Sequence, residues 1–304
     1  MIFYYNTDYD KPSGGMWACY RHADVLNEHG IDAAVLHVEP GFRVSWFENA
    51  TRVENMKEVV AHPDDIVVIS SIIEHQWPDV FPGLRKVIFN QGAYLTFHAY
   101  PLGYAGKYHY EDALGTIVVS EDSERYLRCA FPDIPIFRTV YGIDPSLFYY
   151  DPAIKKDQIA FVPARNPEEA RQVLCILTNR GMRLPLVPIH DKSREEAARI
   201  LRESRYFLSF GFPEGFGLPP CEAMACGCIV IGYHAMGGRE FLKAPYAFPV
   251  SQGDVIEFVH TVERALAEDQ AATALAASAF IAEQYSPARE RESILGCWHQ
   301  LLGA

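Results

Sequence analysis

The sequence predicts an α/β protein with two domains, each built around a parallel β-sheet. Short, almost continuously apolar segments alternate with amphipathic segments over residues 1–145, and the same alternation starts again at residue 146. Such uniform hydrophobicity is typical of strands that helices cover on both faces. Residues 141–152, which contain Gly142, Pro145 and Pro152, interrupt the pattern. With 304 residues, the chain is long enough for two domains of ordinary size.

The first domain begins with a strand, a turn-rich segment and a helix. Apolar or aromatic residues recur at helical spacing from Met16 to Leu26, and Gly30 ends the helix. The segments that predict strands here are residues 2–6, 33–38, 66–70, 86–90, 116–120 and 136–141.

In the second domain, helices alternate with strands in the same way. Ser193 and Glu196 form a capping box, which predicts the start of one of these helices. The predicted strands are residues 158–162, 186–189, 206–210, 228–232 and 246–250. The last amphipathic segment, residues 285–304, predicts a helix that no strand follows. The expected division is therefore 1–145, 146–284 and 285–304.

The charge distribution excludes several classes of partner. The net charge is −12, and residues 1–145 contribute −9 of it, with 11 Lys and Arg against 20 Asp and Glu. Residues 146–304 contribute the other −3, with 16 against 19. A nucleic-acid-binding protein needs a basic face, and an anionic membrane attracts one. We therefore expect no nucleic acid and no anionic membrane as a partner, and small molecules remain.

Cysteine usage and hydrophobicity predict a reducing, cytoplasmic environment. The seven cysteines are an odd number, and Cys226 and Cys228 have the wrong spacing for a zinc knuckle. No apolar run approaches the roughly 20 residues of a membrane span. The chain begins with an apolar, strand-like segment instead of a basic leader. We expect free thiols, no transmembrane segment and no bound metal.

Residues 210–233 are the most informative part of the sequence. They predict a strand end, a glycine-rich loop, a helix that begins near Pro219 and another strand. Gly215 and Gly217 leave backbone N–H groups open to an oxygen-rich ligand, and a helix start favours phosphate. Glu214 and Glu222 flank the loop. The spacing alone leaves two interpretations: a nucleotide-binding loop, or a turn glycine beside an ordinary helix acid.

The complete string resembles the E-x7-E signature of the retaining GT-B glycosyltransferases (glycosyltransferase family 4-like, "glycosyl transferases group 1"). Further segments resemble motifs of that family and follow in matching order: Ser13-Gly14-Gly15, Val119-Ser120-Glu121, Tyr141-Gly142-Ile143-Asp144 with Phe148, and Gly237-Gly238-Arg239-Glu240.

The resemblance implies a GT-B architecture, with two Rossmann-like domains that face a cleft and a last helix, 285–304, that crosses back to the first domain. It assigns the acceptor to residues 1–145 and the nucleotide sugar to residues 146–284. Glu222 would contact the ribose hydroxyls and Glu214 the hydroxyls of the transferred sugar. Backbone donors to the sugar and diphosphate would come from Gly215, Phe216, Gly217 and Leu218, with Gly14 and Gly15 close to the phosphates.

Two positions depart from the family pattern. The family places two basic side chains after the first strand of the second domain, where Arg165 fits one role but Ala164 stands beside it. Arg171 is the nearest substitute, although it also fits a solvated helix position. The family's usual histidine after the fourth strand is replaced by Gln91, which cannot carry a proton, and His98 from the same loop is the candidate that could reach the site.

Together these observations predict a metal-independent, retaining hexosyltransferase. Its donor would be a nucleoside diphosphate sugar, with UDP or GDP as the nucleotide, and it would need no other cofactor. The acidic first domain favours a neutral acceptor such as a saccharide. The alternative is a nucleotide-sugar-binding protein without transferase activity, which Ala164 and Gln91 favour. The aromatic cluster between Tyr94 and Tyr110 fits either a sugar-facing wall or ordinary core packing.

Overall fold

The computed structural model describes residues 1–164 and 166–303. The chain divides into two compact units. The first contains Met1–Tyr141 and Glu290–Ala304, and the second contains Gly142–Arg289. These boundaries differ by four and five residues from the division expected at 145 and 284.

The first unit is built on a seven-stranded parallel sheet with the strand order β3-β2-β1-β4-β5-β6-β7. Its elements up to residue 138 are β1 (Ile2–Tyr5), α1 (Gly14–Glu28), β2 (Ala33–His37), β3 (Val53–Asn55), β4 (Ile66–Ser70), β5 (Arg85–Asn90), α2 (His109–Asp112), β6 (Gly115–Val118), α3 (Glu121–Ala130) and β7 (Ile136–Arg138). In the centre of the sheet, β1 pairs with β4 so that Ile2 lies opposite Ile66. Every residue of these two strands is buried, as their hydrophobicity predicted.

The second unit has a five-stranded parallel sheet with the strand order β12-β11-β10-β8-β9. Its elements are β8 (Lys156–Phe161), α4 (Pro167–Asn179), β9 (Leu186–Pro188), α5 (Arg194–Glu203), β10 (Ser204–Ser209), α6 (Leu218–Ala225), β11 (Ile229–Tyr233), β12 (Phe248–Val250), α7 (Val255–Ala267) and α8 (Ala271–Gln284). Ser193 caps α5 together with Glu196, as the capping box predicted. The predicted α/β class with two parallel sheets is confirmed.

The last helix, α9 (Pro287–Leu302), belongs mainly to the first unit. The buried Trp298 donates a hydrogen bond from Nε1 to the hydroxyl of Tyr4 at 2.9 Å. The same hydroxyl lies 3.2 Å from Nδ1 of His22, and burial lowers the pKa of His22 to about 3. An ion pair between Arg21 and Glu290, at 2.8 Å, joins α1 to α9. The final helix therefore completes the core that the first strand begins.

In each sheet, the direction in which strands are added reverses at one place. The reversal falls between β1 and β4 in the first sheet and between β8 and β10 in the second. Ligands of open parallel sheets bind beyond the carboxyl ends of the strands at such a reversal. The loop after β1 leads to Gly14 and Gly15, and the loop after β10 carries Glu214. Topology thus places most predicted site residues where a ligand is expected.

Candidate functional site

The loop that follows β10 is held by the loop that follows β11. The backbone N–H of Glu214 donates to the carbonyl oxygen of Ala235 at 2.9 Å, and the carbonyl oxygen of Glu214 accepts from the N–H of Gly237 at 3.2 Å. Glu214 and Met236 form a parallel β-bridge. The backbone position of Glu214 is therefore fixed by hydrogen bonds on both sides of its residue.

This partner loop has an unusual backbone. Ala235 and Met236 are consecutive non-glycine residues with positive φ, at 57° and 75°. Residues other than glycine rarely adopt a positive φ, and each such backbone conformation costs of order 1–3 kcal/mol. Gly237 follows, and a Cβ there would lie 2.1 Å from the carbonyl oxygen of Gly215. Close backbone contact between the two loops therefore requires glycine at 237.

The start of α6 presents backbone donors and no acidic side chain. Gly217 precedes the helix with φ 95°, and no side chain caps the helix start. Pro219 and Pro220 have no N–H, so the open donors come from the loop and from Leu218, the first residue of the helix. Phe216 directs its buried ring against Phe241, with the ring centroids 5.1 Å apart. At residue 216, the loop can therefore offer a ligand its backbone groups and not its side chain.

Glu222 lies in the second turn of α6 and is partly buried. Burial raises the pKa of its carboxyl group to about 7, while the positive charge of Arg194 lowers it. Arg194 begins α5 and places its guanidinium carbon 5.6 Å from the centre of the Phe148 ring. A carboxyl group with this pKa accepts hydrogen bonds from hydroxyl groups best above neutral pH, where it is ionised.

The loop between β8 and α4 reaches the end of β10. Arg165 lies outside the described residues. Its neighbour Asn166 adopts a left-handed conformation, with φ 48°, and donates from Nδ2 to the carbonyl oxygen of Phe210 at 2.9 Å. Arg171 is exposed on α4 and lies 3.6 Å from Glu168 in the first turn of the same helix. The start of α4 is therefore tied to the end of β10, before Glu214.

In the first unit, the structure brings Gly15 and Gln91 together. Ser13 caps α1 by accepting a hydrogen bond from the N–H of Met16, and the first turn of α1, with Gly14 and Gly15, has no acidic side chain. The amide of Gln91 donates to the carbonyl oxygen of Gly15 at 3.0 Å. A Cβ at residue 15 would lie 2.3 Å from Oε1 of Gln91. Two residues predicted from separate motifs thus share one contact.

His98 lies apart from this contact. It is exposed on the loop that follows β5, and its N–H donates to the carbonyl oxygen of Leu95 at 3.0 Å. Within residues 1–164 and 166–303, no hydrogen bond joins its ring to Gln91, and no cluster of three or more His, Cys, Asp or Glu side chains could hold a metal ion. In the same part of the chain, no helix combines the length and hydrophobicity that crossing a membrane requires. All seven cysteines are free.

Comparison with known proteins identifies this arrangement. Residues 161–280 match the family described as "Glycosyl transferases group 1". This segment is therefore similar in sequence to that family of glycosyltransferases. An α-1,6-glucosyltransferase of Actinobacillus pleuropneumoniae serotype 7 (strain AP76) is 27% identical over 73% of this chain and 69% of its own. The glycosyltransferase segment includes Arg165, Arg171, Glu214 and Glu222.

Solved structures show that the whole chain has the GT-B fold. Sucrose-phosphate synthase from Thermosynechococcus elongatus superposes with a TM-score of 0.76 at 13% identity, over 99% of both chains. The HepE protein of Anabaena, solved with UDP and glucose, superposes with a TM-score of 0.70 at 11% identity, over 98% of this chain and 99% of its own. The predicted GT-B fold is therefore confirmed, and the match of residues 161–280 supports the predicted resemblance to the group 1 glycosyltransferases.

Sequence reasoning did not single out Asn166 or the Ala235–Met236 turn. Asparagine tolerates the left-handed conformation better than most residues, so an Asn just before Pro167 was a usable signal. The positive φ angles of Ala235 and Met236 had no such signal, because neither residue type favours them. The influence of Arg194 on Glu222 depends on how α5 packs against α6, which no local pattern reveals.

Proposed function

We propose that the glycosyltransferase moves a hexosyl group from a nucleoside diphosphate sugar to a hydroxyl acceptor, with retention of configuration and without a metal ion. The observation that carries the proposal is the position of the Glu214–Leu218 loop. The loop lies at the strand-order reversal of the second sheet and leads into an α6 start that has no acidic side chain in its first turn. Oxygen-rich, negatively charged ligands suit such a place.

The nucleotide is assigned to the second unit. Glu222 would accept hydrogen bonds from the ribose hydroxyls, and Arg194 favours the ionised form that this role requires. UDP is the preferred nucleotide, because HepE, which shares the fold, was solved with UDP and with UDP-glucose. GDP is the other candidate. Measuring the affinities of the protein for UDP and for GDP decides between them.

The diphosphate would be held by backbone donors and arginines. Residues 215–218 supply N–H groups, and Arg165 and Arg171 supply positive charge, with guanidinium groups suited to phosphate oxygens. Arg171 would have to leave Glu168, to which it is bound through an exposed pair at 3.6 Å. Exposed pairs of this kind contribute only about 0–1 kcal/mol, so a diphosphate can compete for the arginine.

Transfer would proceed on one face of the sugar. The bond between the anomeric carbon and the diphosphate oxygen breaks, the acceptor oxygen bonds to that carbon from the same side, and the acceptor's proton passes to the departing phosphate oxygen. Glu214 would contact sugar hydroxyls as positive charge develops on the ring. Gln91 carries no proton in this scheme, and its amide is already bonded to Gly15. It would shape the acceptor side.

The acceptor is assigned to the first unit. Residues 1–145 carry 11 basic against 20 acidic side chains. That excess of negative charge repels phosphorylated or otherwise anionic acceptors, and a neutral saccharide avoids the repulsion. His98 is exposed on the same unit and is the remaining candidate to contact it.

The test compares two alanine variants by calorimetry. Charge-assisted hydrogen bonds contribute about 1.5–3 kcal/mol, so Glu222→Ala should weaken UDP and UDP-glucose alike, by roughly tenfold or more. Glu214→Ala should leave UDP affinity nearly unchanged and lower turnover, because its contacts are to the sugar. Glu283→Ala, at an exposed position of the same unit, is the control. Equal losses of both ligands in both variants would make the pair a structural helix-start feature.

A protein that binds nucleotide sugars without transferring them is the second candidate, favoured by Ala164 and Gln91 at positions where the family has functional side chains. The same titrations separate the two. Binding of UDP-glucose with slow hydrolysis, and no product with any of a panel of saccharides, would support the binding protein.

A further inference from the structure

A fully buried carboxyl group lies in the first unit, apart from the residues assigned above. Glu74 follows β4 in a short 3-10 turn, Ser71–Gln76, and its side chain has no exposed surface. Burial raises the pKa of Glu74 to about 7. A buried carboxyl group costs free energy unless it makes compensating hydrogen bonds, so its partners should show what it is for.

The partners of Glu74 come from both ends of the segment 100–109. The hydroxyl of Tyr100 donates to Oε1 of Glu74, and the same hydroxyl accepts from the backbone N–H of His109 at 2.9 Å. Nδ1 of His109 lies 3.4 Å from Oε1 of Glu74. One carboxyl group therefore joins the two ends of the segment to the turn after β4.

Ring packing also supports this junction. The ring of His109 stacks on Trp77, with centroids 5.2 Å apart and planes inclined by 6°.

The other oxygen of Glu74, Oε2, is buried without a hydrogen-bond partner among residues 1–164 and 166–303. A buried acceptor that is left unpaired opposes ionisation, since the charged form needs more hydrogen bonds than the neutral form. The junction is thus most stable when Glu74 holds a proton.

The segment 100–109 and the loop 91–99 that leads into it carry exposed aromatic side chains beside the residues assigned to the acceptor. Tyr94, Phe97 and Tyr104 are 45%, 38% and 37% exposed, and Gln91 and His98 precede or accompany them on the loop after β5. The loop and the turn of Glu74 leave the sheet at the carboxyl ends of the adjacent strands β4 and β5, where parallel sheets bind ligands. Exposed aromatic faces can stack on the C–H surfaces of a saccharide.

We propose that Glu74 is a positioning residue for the acceptor: its carboxyl group holds Tyr100 and His109 together and thereby fixes the segment 91–108 that would bind a neutral saccharide. The proposal rests on the proposed function in assigning the acceptor to this unit. The hydrogen-bonded junction itself does not depend on that assignment.

The sign of the pH dependence follows from the two states of the segment. When the segment opens, Glu74 meets water and its pKa returns toward 4.5, so the closed state holds more protons between about pH 4.5 and pH 7. Closure is therefore most stable below that range and weakens as the pH rises through it. Tyr100 and Tyr110 also face Glu74, but they remain neutral in this range because burial raises their pKa values.

His109 acts in the opposite direction. Burial lowers its pKa most, Asp112 and the backbone of Glu74 raise it, and Lys86 lowers it. The open state therefore binds the extra proton on His109, which favours closure as the pH rises. Glu74→Gln separates the two groups, because glutamine still accepts the Tyr100 hydrogen bond but does not titrate in this range, while His109 is retained.

The experiment is amide hydrogen exchange of peptides that cover residues 93–110, expressed as protection relative to the unstructured rate at each pH. In the wild type, we expect protection to fall by roughly tenfold or more between about pH 5 and about pH 7.5. In Glu74→Gln, the fall should vanish or reverse. Tyr100→Phe, which removes only the hydroxyl group, should lower protection at every pH. Glu58→Gln, an exposed position of the same unit, should behave as the wild type.

An unchanged pH slope in Glu74→Gln, or a wild-type slope of zero, would overturn the proposal. A functional measurement uses UDP-glucose as donor and glucose as the acceptor probe. The wild-type KM for glucose should rise severalfold from about pH 6 to about pH 8, more steeply than in Glu74→Gln. If the KM for glucose depends on pH equally in the wild type and in Glu74→Gln, while hydrogen exchange gives the expected result, then Glu74 has only a structural role. The proposal that it positions the acceptor would then be wrong. If the wild type binds no nucleotide at all, the proposed function fails, while exchange still decides whether the junction exists.

Discussion

The side-chain amide of Gln91 donates a hydrogen bond to the backbone carbonyl oxygen of Gly15, so the loop after β5 is joined to the start of α1. The two residues occupy different motifs and are 76 positions apart in the chain. Their contact means that a residue of a separate loop supports the glycine-rich start of α1.

A double-mutant cycle tests this contact. Gln91→Ala removes the hydrogen bond, and Gly15→Ala places a Cβ where Oε1 of Gln91 now lies. Each should lower the free energy of unfolding by about 1 kcal/mol, and the double variant should lose no more than either single one. Urea unfolding followed by tryptophan fluorescence is selective here, because Trp17, Trp46, Trp77 and Trp298 all belong to the first unit. Additive losses would contradict a shared contact.

The loop that carries Glu214 depends on the glycine at 237. In Gly237→Ala, the new methyl group meets the carbonyl oxygen of Gly215 at 2.1 Å, so one of the two loops must move. We expect at least a tenfold loss of UDP-glucose affinity, since a displaced loop misaligns its donors. Gly238→Ala is the matched control, because its Cβ meets the Phe241 ring at 3.3 Å and approaches the carbonyl oxygen of Phe216 only to 3.6 Å, an ordinary contact distance. Similar affinities of the two variants would show that the loop contact is unimportant for the donor.

The raised pKa of Glu222 predicts a pH-dependent stability of the second unit. The folded pKa is about 7 against an ordinary value of 4.5, so the folded unit binds the extra proton between these values. The stability that this group contributes is fully present below about pH 4.5. It is lost as the pH rises to about 7, and the loss is at most about 3 kcal/mol. Glu222→Gln should remove that loss.

Circular dichroism during urea unfolding, corrected for the first unit by tryptophan fluorescence, measures this difference. If wild type and Glu222→Gln lose stability in parallel from about pH 5 to about pH 7.5, then burial of Glu222 is not the cause.

The hydrogen bond between Trp298 and Tyr4 should stabilise the first unit. Trp298→Phe keeps most of the ring but removes the donor at 2.9 Å, and we expect a loss of about 1–3 kcal/mol. Leu302→Ala, on the same helix at a position 43% exposed, should cost much less. The free energy of unfolding is measured by circular dichroism, because Trp298→Phe removes one of the tryptophans on which a fluorescence signal would depend. Equal costs would indicate general helix packing.

Transfer should not require a divalent cation. The proposed diphosphate site consists of Arg165, Arg171 and backbone donors, which can neutralise the leaving group without a metal ion. Turnover of UDP-glucose should be the same in excess EDTA as in its absence. Loss of turnover that manganese restores, in protein shown to remain folded, would contradict this.

The fold was largely predictable because most strands are short, almost continuously apolar segments of the sequence. Each of the eleven predicted strands overlaps an observed one, although the predicted strand at 136–141 ends three residues earlier, at Arg138. The strand that the sequence did not reveal is β3, Val53–Asn55, which is short and contains two polar residues. An edge strand of this composition carries almost no pattern, and it is recognised only by pairing with β2.

A local motif marks some of the candidate site residues, such as Glu214, Gly217 and Glu222, and their roles stay predictions. What the sequence could not show is how separate loops contact one another. The hydrogen bonds of Glu214 to Ala235 and Gly237 join residues of two different loops. The junction of Glu74 with Tyr100 and His109 depends on a buried polar group that periodicity would place on the surface. The roles of these residues remain predictions that the variants above will test.

The return of α9 to the first unit has a consequence for synthesis on the ribosome. Residues 142–289 can leave the ribosome and fold while the first unit still lacks the helix that carries Trp298. Until α9 emerges, the hydroxyl of Tyr4 has no indole donor and the apolar surface that α9 covers is open to water. The unit that is translated first is thus completed last. Chaperone binding during translation should accordingly concentrate on the first unit and end once residues beyond 290 are released.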